Sequence, residues 1–313
     1  MSDRTAVPVI SVIIPVFNGE ATIDAQLDAL AAQPFDLPWE LLIADNGSRD
    51  RTREVVLARR ARFPAPLRVL DAGARKGVAH PRNAGVLAAR GAAVAFCDAD
   101  DVVGPNWLAG AHRGLQEHDV VGGPIRRLTE PFDPDSELLG FDSVSDGEMV
   151  GSNIAIRRDI YLAAGGFEEA WRRYGREDYE FGVRLRAQGA RFGRDPDMLN
   201  YYRLVEDQWK FTRKIYASGR SDVDVWRRHP EVFPGRLGRG AVLREALSLP
   251  WNLLRAGRSG GHRRLARTVV DLAAHARELL PPQRPMPPPV LIEETTPPRE
   301  IDGDAQPFRA SRQ

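Results

Sequence analysis

The chain has 313 residues, enough for one large domain or two smaller ones, and its 44 basic and 43 acidic side chains nearly balance. This balance gives no reason to expect a nucleic-acid partner. The single cysteine, Cys97, excludes an internal disulfide framework. The first apolar run, Val7–Phe17, contains two prolines and is too short to cross a bilayer, so it predicts a buried strand instead of a signal peptide. We therefore expect a cytoplasmic protein that is soluble or held at the inner face of the membrane by its surface alone.

Short apolar runs and helical patterns alternate through the first third of the chain. The predicted strands are Val9–Ile14, Leu41–Ala44, Leu67–Leu70 and Ala93–Cys97, and the predicted helices are Glu20–Ala32, Thr52–Arg62 and His80–Ala89. This alternation predicts an α/β fold with a mainly parallel central sheet flanked by helices. Ligands bind at the carboxyl ends of the strands in such sheets. Polar clusters follow three of these strands, beginning at Phe17, Asp45 and Asp98.

The remainder of the chain is less regular. Leu128–Glu148 is an acidic connection of a length typical of binding segments or lids, and Glu177–Gln188 is predicted to be a helix. Between residues 236 and 284 there are ten arginines and three acidic residues, with apolar side chains at helical spacing. We divide the chain into an α/β domain at residues 8–225, a basic helical extension at 226–280 and a proline-rich tail at 281–313 that we expect to be disordered.

Asp98 and Asp100 stand two residues apart directly after a predicted buried strand. Carboxylates in this arrangement can present oxygens to a hard cation, and the small Ala99 between them lets the backbone approach a ligand. Magnesium and manganese hold few protein carboxylates and complete their shells with water and phosphate oxygens. Acidic triplets also occur in solvated loops, and only the position after a strand favours the metal site.

Asp45 closes the second predicted strand, so its carboxylate could accept hydrogen bonds from a base or a ribose. It also begins a good turn and could cap the next helix, and the sequence leaves both roles open. Lys76 and Arg82 lie between the third and fourth strands, where they could hold phosphate or base oxygens. For the neighbouring Arg75, simple surface solvation is at least as good an explanation.

Asp178 is the best candidate for a catalytic base. It opens a predicted helix and shares one face with Phe181 and Leu185, which directs its carboxylate inward. The helix N-terminus favours its ionised form. For the adjacent Glu177, a charge that complements the helix dipole is the favoured interpretation.

Six segments together resemble the signatures of glycosyltransferase family 2. They are Val9–Glu20, Ile43–Ser48, Arg82–Gly85, Phe96–Asp101, Gly165–Phe167 and Arg176–Phe181. Their order and spacing agree with the family over about residues 8–225. The second segment departs from it, because Asn46 stands where many relatives carry an aspartate. The Gln-x-x-Arg-Trp signature of processive synthases is also absent, which favours transfer of a single sugar.

The resemblance implies the GT-A (nucleotide-diphospho-sugar transferase) fold, to which the helical spacing beyond residue 225 adds a C-terminal helical extension. It implies an inverting transfer from a nucleotide-diphosphate sugar, with a UDP-sugar favoured, to a hydroxyl of a glycan or lipid-linked acceptor in cell-surface assembly. Asp178 would be the base and Asp100 the ligand of Mn²⁺ or Mg²⁺. The nucleotide-sugar site would comprise Pro15, Val16, Phe17, Glu20, Asp45, Lys76, Arg82, Asp98 and Ala99, and the acceptor side Ser152, Asn153 and Glu177.

Two other functions remain open at this point. A sugar-phosphate nucleotidyltransferase shares the layout but ordinarily has a glycine-rich basic loop after the first strand, unlike Pro15–Gly19. A non-catalytic sugar- or nucleotide-binding module would lack Asp100 or Asp178. The basic segment 236–284 is expected either to rest on an anionic membrane or to cap the domain with its arginines in solvent, with equal weight. The sequence does not indicate the oligomeric state.

Overall fold

The computed structural model describes residues 6–145, 149–170, 175–258, 262–280, 286–292 and 297–301. The chain forms two compact units. The first comprises Met1–Glu169, Phe181–Arg203 and Leu291–Gln313, and the second comprises Ala170–Glu180 and Leu204–Val290. The domain limits expected from the sequence, at residues 225 and 280, stay a prediction.

Both sheets belong to the first unit. Its strands are β1 (Ile10–Val16), β2 (Trp39–Asp45), β3 (Leu67–Asp71), β4 (Ala93–Cys97), β5 (Val102–Val103), β6 (Val120–Gly122), β7 (Pro124–Arg127), β8 (Leu138–Asp142), β9 (Asn153–Arg157), β10 (Phe192–Arg194) and β11 (Asn200–Tyr202). Seven of them form a sheet in the order β10-β6-β9-β4-β1-β2-β3, and four form a sheet in the order β5-β11-β7-β8. The large sheet is parallel except for β9, which runs antiparallel to β4 and β6. The predicted α/β fold with a mainly parallel sheet is confirmed.

Helices cover the sheet and form most of the second unit. They are α1 (Ile23–Ala31), α2 (Thr52–Arg60), α3 (Ala79–Ala88), α4 (Trp107–Gly114), α5 (Arg158–Ala163), α6 (Glu177–Ala187), α7 (Gln208–Arg228), α8 (Arg239–Arg258) and α9 (His262–Leu279). The expected C-terminal helical extension is therefore present as α8 and α9. Among the described residues, no helix combines the length and apolarity needed to span a membrane.

The continuous apolar run of β1 is explained by its central place in the sheet. All seven residues of β1 are buried, because helices cover both faces of a parallel sheet. Val12 and Ile14 join the hydrophobic cluster that includes α1, while Ile13 faces the opposite cluster. There, a Cβ on Gly85 of α3 would lie 2.4 Å from Ile13 Cγ2, so glycine is required for this close approach. This packing fixes the strand ends that carry the site.

The acidic connection predicted at 128–148 is wrong for part of its length. Residues Leu138–Asp142 form β8, which pairs antiparallel with β7 in the small sheet. The prediction failed because β8 is an edge strand with an exposed side chain at Leu138, so it lacks the apolar alternation of a half-buried strand. Residues 146–148 lie outside the described part of the chain.

The tail predicted to be disordered is ordered in its two described segments. The amides of Asp71 and Ile301 donate to the carbonyls of Arg299 and Val69 at 2.9 and 2.8 Å, so residues 299–301 follow the outer edge of β3. Glu300 forms ion pairs with Arg60 and Arg68 at 3.1 and 3.0 Å. The edge strand supplies unpaired backbone groups that the tail satisfies, which local composition does not reveal. Residues 281–285, 293–296 and 302–313 lie outside the described part.

Candidate functional site

Three polar clusters meet at one edge of the large sheet. β1 lies between β2 and β4, and all three strands run in the same direction. Asp45 is the last residue of β2, Phe17 follows β1 and Asp98 follows β4. The prediction that these clusters share the carboxyl edge of the sheet is therefore confirmed.

The acidic residues after β4 have three different environments. Asp98 is partly exposed, and its Oδ1 accepts a hydrogen bond from Arg82 Nη2 at 3.0 Å. Asp100 is exposed. Asp101 is only 1% exposed and accepts from Asn200 Nδ2 at 2.8 Å and from the Arg203 backbone amide at 3.0 Å. Only the first two can meet a ligand.

Asp101 has a structural role that the sequence did not reveal. Burial raises the pKa of its carboxyl well above the usual value, and the nearby charges of Asp98 and Asp100 raise it further. Its two accepted hydrogen bonds attach the end of β4 to β11 and the residue after it. The carboxylate therefore anchors the loop that presents Asp98 and Asp100.

The exposed carboxylate of Asp100 fits the ligand chemistry of Mg²⁺ or Mn²⁺. These ions need few protein oxygens when phosphate and water complete the shell. Among the described residues, no group of three or more His, Cys, Asp or Glu side chains could hold a metal ion. A site of this kind would therefore depend on Asp100 together with oxygens of the bound substrate.

Arg82 lies under the site, at the start of α3. Its side chain is 3% exposed, and its guanidinium carbon is 5.3 Å from the centre of the Phe167 ring. A Cβ on Gly151 would lie 2.7 Å from Arg82 Nη1, so glycine lets the backbone pass over the guanidinium. Arg82 thus sets the position of Asp98 from within the core.

The adjacent Asn83 joins α3 to the segment after α5. Its Oδ1 accepts from the Tyr161 hydroxyl at 2.7 Å and the Phe167 amide at 2.9 Å. Its Nδ2 donates to the Phe167 carbonyl at 2.8 Å and to Glu169 Oε1 at 3.0 Å. Burial alone would raise the pKa of Glu169, but hydrogen bonds from His80 and Asn83 lower it below its usual value. Asn83 therefore uses both polar atoms of its side-chain amide to join α3 to Tyr161, Phe167 and Glu169.

Phe17 and Lys76 lie side by side at the other end of the site. The Phe17 ring is half exposed, and Lys76 Nζ lies 5.1 Å from its centre and donates to the Asn46 carbonyl at 3.2 Å. The Asn46 side chain donates to the carbonyls of Ala72 and Arg75 at 2.6 and 2.7 Å. The structure therefore uses Asn46 to hold the Lys76 loop against the end of β2.

Asp45 is almost fully buried. Its Oδ1 accepts from the Ser48 amide at 3.0 Å, and its Oδ2 pairs with Arg53 Nε. The turn-forming role that the sequence left open is therefore present, while contact with a nucleoside stays a prediction. The sequence analysis did not identify Arg53, in the first turn of α2, as the ion-pair partner of Asp45.

Three other residues predicted to contact the nucleotide sugar have buried side chains, and a fourth, Glu20, is paired with an arginine. Pro15, Val16 and Ala99 are buried in the sheet or beneath the loop, so they could contribute only backbone atoms. Glu20 accepts from the Arg51 amide at 3.0 Å and forms an ion pair with its guanidinium at 2.6 Å, which together lower the pKa of Glu20. These contacts join the loop after β1 to the start of α2.

The expected acceptor role of Asn153 is wrong. Its side chain is fully buried, with Oδ1 accepting from Trp107 Nε1 at 2.7 Å and Nδ2 donating to the Met198 carbonyl at 2.8 Å. Asn153 begins the antiparallel strand β9, and its amide is used up inside the unit. Ser152 is also buried, but its Oγ has no hydrogen-bond partner among the described residues. An acceptor role for Ser152 stays a prediction.

Asp178 and Glu177 belong to the second unit. Asp178 is half-buried, and its Oδ1 accepts from the Tyr179 amide at 2.8 Å, as expected at a helix start. The preceding Arg176 has a positive φ of 73° and forms an ion pair with Asp222 of α7 at 2.6 Å. This pair holds the left-handed turn from which α6 begins, so it also positions Asp178.

Gln26 is a further supporting residue that the sequence analysis did not identify. Gln26 of α1 is fully buried, donates to the Asp98 carbonyl at 3.1 Å and accepts from the Val103 amide at 2.9 Å. It therefore braces both sides of the acidic loop. The signal was present, because a glutamine stands on the inward face of the helix beside Ile23 and Leu30.

Parts of this chain are similar in sequence to known proteins. The model of glycosyl transferase family 2 matches residues 11–161, and that of the N-terminal domain of galactosyltransferase matches residues 139–208. Validoxylamine A glucosyltransferase of Streptomyces hygroscopicus subsp. jinggangensis is 30% identical over 228 residues, covering 58% of this chain and 52% of the relative. The UDP-Glc:alpha-D-GlcNAc-diphosphoundecaprenol beta-1,3-glucosyltransferase WfgD of Escherichia coli is 35% identical over 100 residues, covering 32% and 36%. The chain spans about half the length of the first curated relatives that it matches.

A solved structure extends the likeness beyond the matched sequence. The mannosyltransferase PcManGT from Pyrobaculum calidifontis, in complex with GDP-Man and Mn²⁺, superposes with a TM-score of 0.61 at 20% identity. The match covers 90% of this chain and 89% of that one, so the two share a fold. Residues 11–161 therefore match glycosyltransferase family 2, and the chain has the GT-A fold, so the resemblance and the fold expected from the sequence are confirmed.

Proposed function

We propose that this protein is an inverting glycosyltransferase that moves one sugar from a nucleotide-diphosphate sugar to a hydroxyl acceptor. The meeting of Asp45, Asp98 and Asp100 at one carboxyl edge of the sheet supports this function most directly. The relative WfgD is named for a UDP-glucose donor and a lipid-diphosphate acceptor, which supports a UDP-sugar and a role in cell-surface glycan or glycolipid assembly. Peripheral contact with the inner face of the cytoplasmic membrane through residues 236–284 is part of the same proposal.

The donor would lie along the sheet edge. The half-exposed Phe17 ring offers a face to a nucleobase, and Lys76 beside it offers a positive charge to a phosphate. Asp98, oriented by Arg82, would accept hydrogen bonds from the ribose. Asp100 would hold a Mn²⁺ or Mg²⁺ ion, which when bound neutralises charge on the diphosphate leaving group. The Mn²⁺ in the PcManGT complex supports this choice of ion.

Asp178 would remove the proton from the attacking acceptor hydroxyl. A general base must lie within hydrogen-bond reach of the proton that it removes, and a half-buried carboxylate at the start of α6 is accessible for this role. The Arg176–Asp222 ion pair would fix the direction of this carboxylate through the turn that precedes it. Backside attack by the hydroxyl oxygen on the anomeric carbon would then invert its configuration as the nucleoside diphosphate leaves.

Transfer and donor binding, measured separately, test this function. UDP-, GDP- and dTDP-sugars are offered with and without Mn²⁺, and UDP binding is followed by calorimetry. Asp178→Asn should bind UDP normally and lose about 10²–10⁴-fold in transfer, the usual contribution of a general base. Asp100→Asn should lose the dependence of UDP binding on Mn²⁺. The exposed Asp36→Asn serves as the matched control.

Each result bears on a different assignment. Full transfer by Asp178→Asn would exclude Asp178 as the base, and a reaction that is indifferent to metal would exclude the role of Asp100. Binding of a nucleotide sugar by the wild type without transfer to any acceptor or to water would identify a binding module. Formation of a nucleotide sugar from a sugar phosphate would identify a nucleotidyltransferase.

A further inference from the structure

The first half of α8 exposes large apolar side chains along one side. Leu243, Leu247 and Trp251 are 61%, 73% and 63% exposed. Their spacing of four residues places them in one stripe on the helix surface. Leu237 and Val232, just before the helix, are also exposed. Neighbouring exposed side chains of this size are typical of a surface that binds a protein or a membrane.

A cavity of about 400 Å³ in the same unit borders α8 and carries two arginines. Arg236 and Arg244 both line it, and the guanidinium carbon of Arg236 lies 5.3 Å from the centre of the Trp226 ring. Arg244 donates to the Gly235 carbonyl, which orients its guanidinium. Both side chains remain exposed. The cavity therefore presents two oriented guanidinium groups, the groups best suited to a phosphate.

Among the described residues, Glu245 is the one acidic side chain that lines this cavity, and it already has a cationic partner. Glu245 Oε1 and Oε2 both lie 2.9 Å from His275 Nδ1. Between residues 236 and 258 the sequence contains five arginines and one acidic residue. The exposed Arg239 lies four residues before Leu243, at the N-terminal end of the apolar stripe. The α8 face thus combines apolar side chains with a flanking positive charge.

We propose that the α8 face, defined as Leu243, Leu247, Trp251, Arg236 and Arg244, docks on an anionic lipid bilayer. The three apolar side chains would enter the boundary between headgroups and acyl chains, where tryptophan is favoured. The two arginines would hold the phosphate of one lipid headgroup at the cavity. The inference rests on the membrane part of the proposed function and adds the surface and the lipid class.

Charge decides between a bilayer and a second copy of this chain. A two-fold contact through the α8 face would bring the same patch of each copy together. Arg236, Arg239 and Arg244 would then face one another, which is unfavourable for like charges. An anionic bilayer instead complements them and accepts the leucines and the tryptophan. The observed composition therefore favours lipid over self-association.

Co-sedimentation of the full chain with vesicles tests the inference without reference to sugar transfer. The vesicles are phosphatidylcholine with or without phosphatidylglycerol. Wild-type protein should sediment only with the anionic vesicles and should be released as salt rises. Leu247→Ser should weaken binding by about tenfold, from the loss of an inserted side chain. Arg244→Gln should weaken it by about fivefold, as expected for one basic residue near an anionic surface.

Matched controls separate the α8 face from general surface properties. Leu138→Ser removes a similarly exposed leucine from the first unit, and Arg62→Gln removes an exposed arginine there. Both should bind as the wild type does, and circular dichroism should show every variant folded.

The inference fails if wild-type binding does not depend on phosphatidylglycerol, or if the α8 variants bind like the controls. It also fails if gel filtration shows a dimer that Leu247→Ser dissociates while vesicles bind neither protein. Loss of vesicle binding with full transfer to a soluble acceptor would support the docking surface and leave the proposed chemistry intact.

Discussion

Replacement of His275 by glutamine should remove a pH-dependent contribution to the stability of the second unit. The ring lies in α9 with its side chain 8% exposed. Its Nδ1 is 2.9 Å from both carboxylate oxygens of Glu245, and its Nε2 is 3.6 Å from Asp222 Oδ2. Two carboxylates thus face one imidazole inside the unit. Glutamine keeps a similar length but carries no charge.

The size of the effect follows from the pKa of His275. Burial alone would lower this pKa, but the carboxylates of Asp222 and Glu245 raise it from 6.5 to about 9. Since one pKa unit corresponds to about 1.4 kcal/mol, the charged ring should contribute on the order of 3 kcal/mol. The folded pKa is raised, so this stability is fully present below pH 6.5 and is lost as the pH rises through about 9.

Urea unfolding followed by circular dichroism between pH 6 and pH 10 measures this contribution. The difference in the free energy of unfolding between the wild type and His275→Gln should be largest at the acidic end and shrink by about 3 kcal/mol towards pH 10. Glu245→Gln, which removes one carboxylate, should leave a smaller pH-dependent part. His112→Gln is the control, because the His112 ring packs against Phe35. It measures the change in unfolding free energy that follows the loss of a histidine elsewhere in the chain.

A difference between wild type and His275→Gln that stays constant over this range would refute the reasoning. So would the same pH dependence in His112→Gln. Either result would mean that the two carboxylates do not stabilise the imidazolium in the folded unit.

Three further substitutions test contacts in the first unit. Asn83→Asp replaces the donor that faces Glu169 by an acceptor oxygen, so the free energy of unfolding should fall by about 3 kcal/mol. The Tm should fall by about 6–12 °C in calorimetry. An unchanged Tm would contradict the Asn83 contacts. Asp101→Asn leaves one acceptor oxygen for the two donors that Asp101 binds, Asn200 and the Arg203 amide. The free energy of unfolding, measured in urea, should therefore fall by about 1–2 kcal/mol. An unshifted urea midpoint would contradict the anchoring role of Asp101. Glu300→Gln removes the ion pair with Arg68, which should contribute about 1 kcal/mol to the attachment of the tail. Amide hydrogen exchange along β3 should therefore become faster. Unchanged protection of β3 would show that other contacts hold the tail.

The sequence alone determined the order of the elements and the edge of the sheet that carries the site. The buried run in β1 and the alternation of strands and helices are local patterns, and they suffice to predict a mainly parallel sheet. Polar residues that directly follow strands must then share its carboxyl edge, which placed Phe17, Asp45 and Asp98 correctly.

Only the tertiary structure decided what each polar residue does. Asp98, Asp100 and Asp101 are chemically alike in the sequence, and they differ because Arg82 binds the first while Asn200 binds the third. In the same way, the buried contacts of Asn153 removed it from the acceptor side.

The tail gives the same lesson over a longer distance. Glu300 lies in a segment whose composition predicts disorder, yet it pairs with Arg68 more than 200 positions earlier. Local composition and periodicity describe a residue's neighbours along the chain. Burial and hydrogen bonding depend on neighbours that only folding brings together, and these contacts separate the residues that can meet a ligand from those that hold them in place.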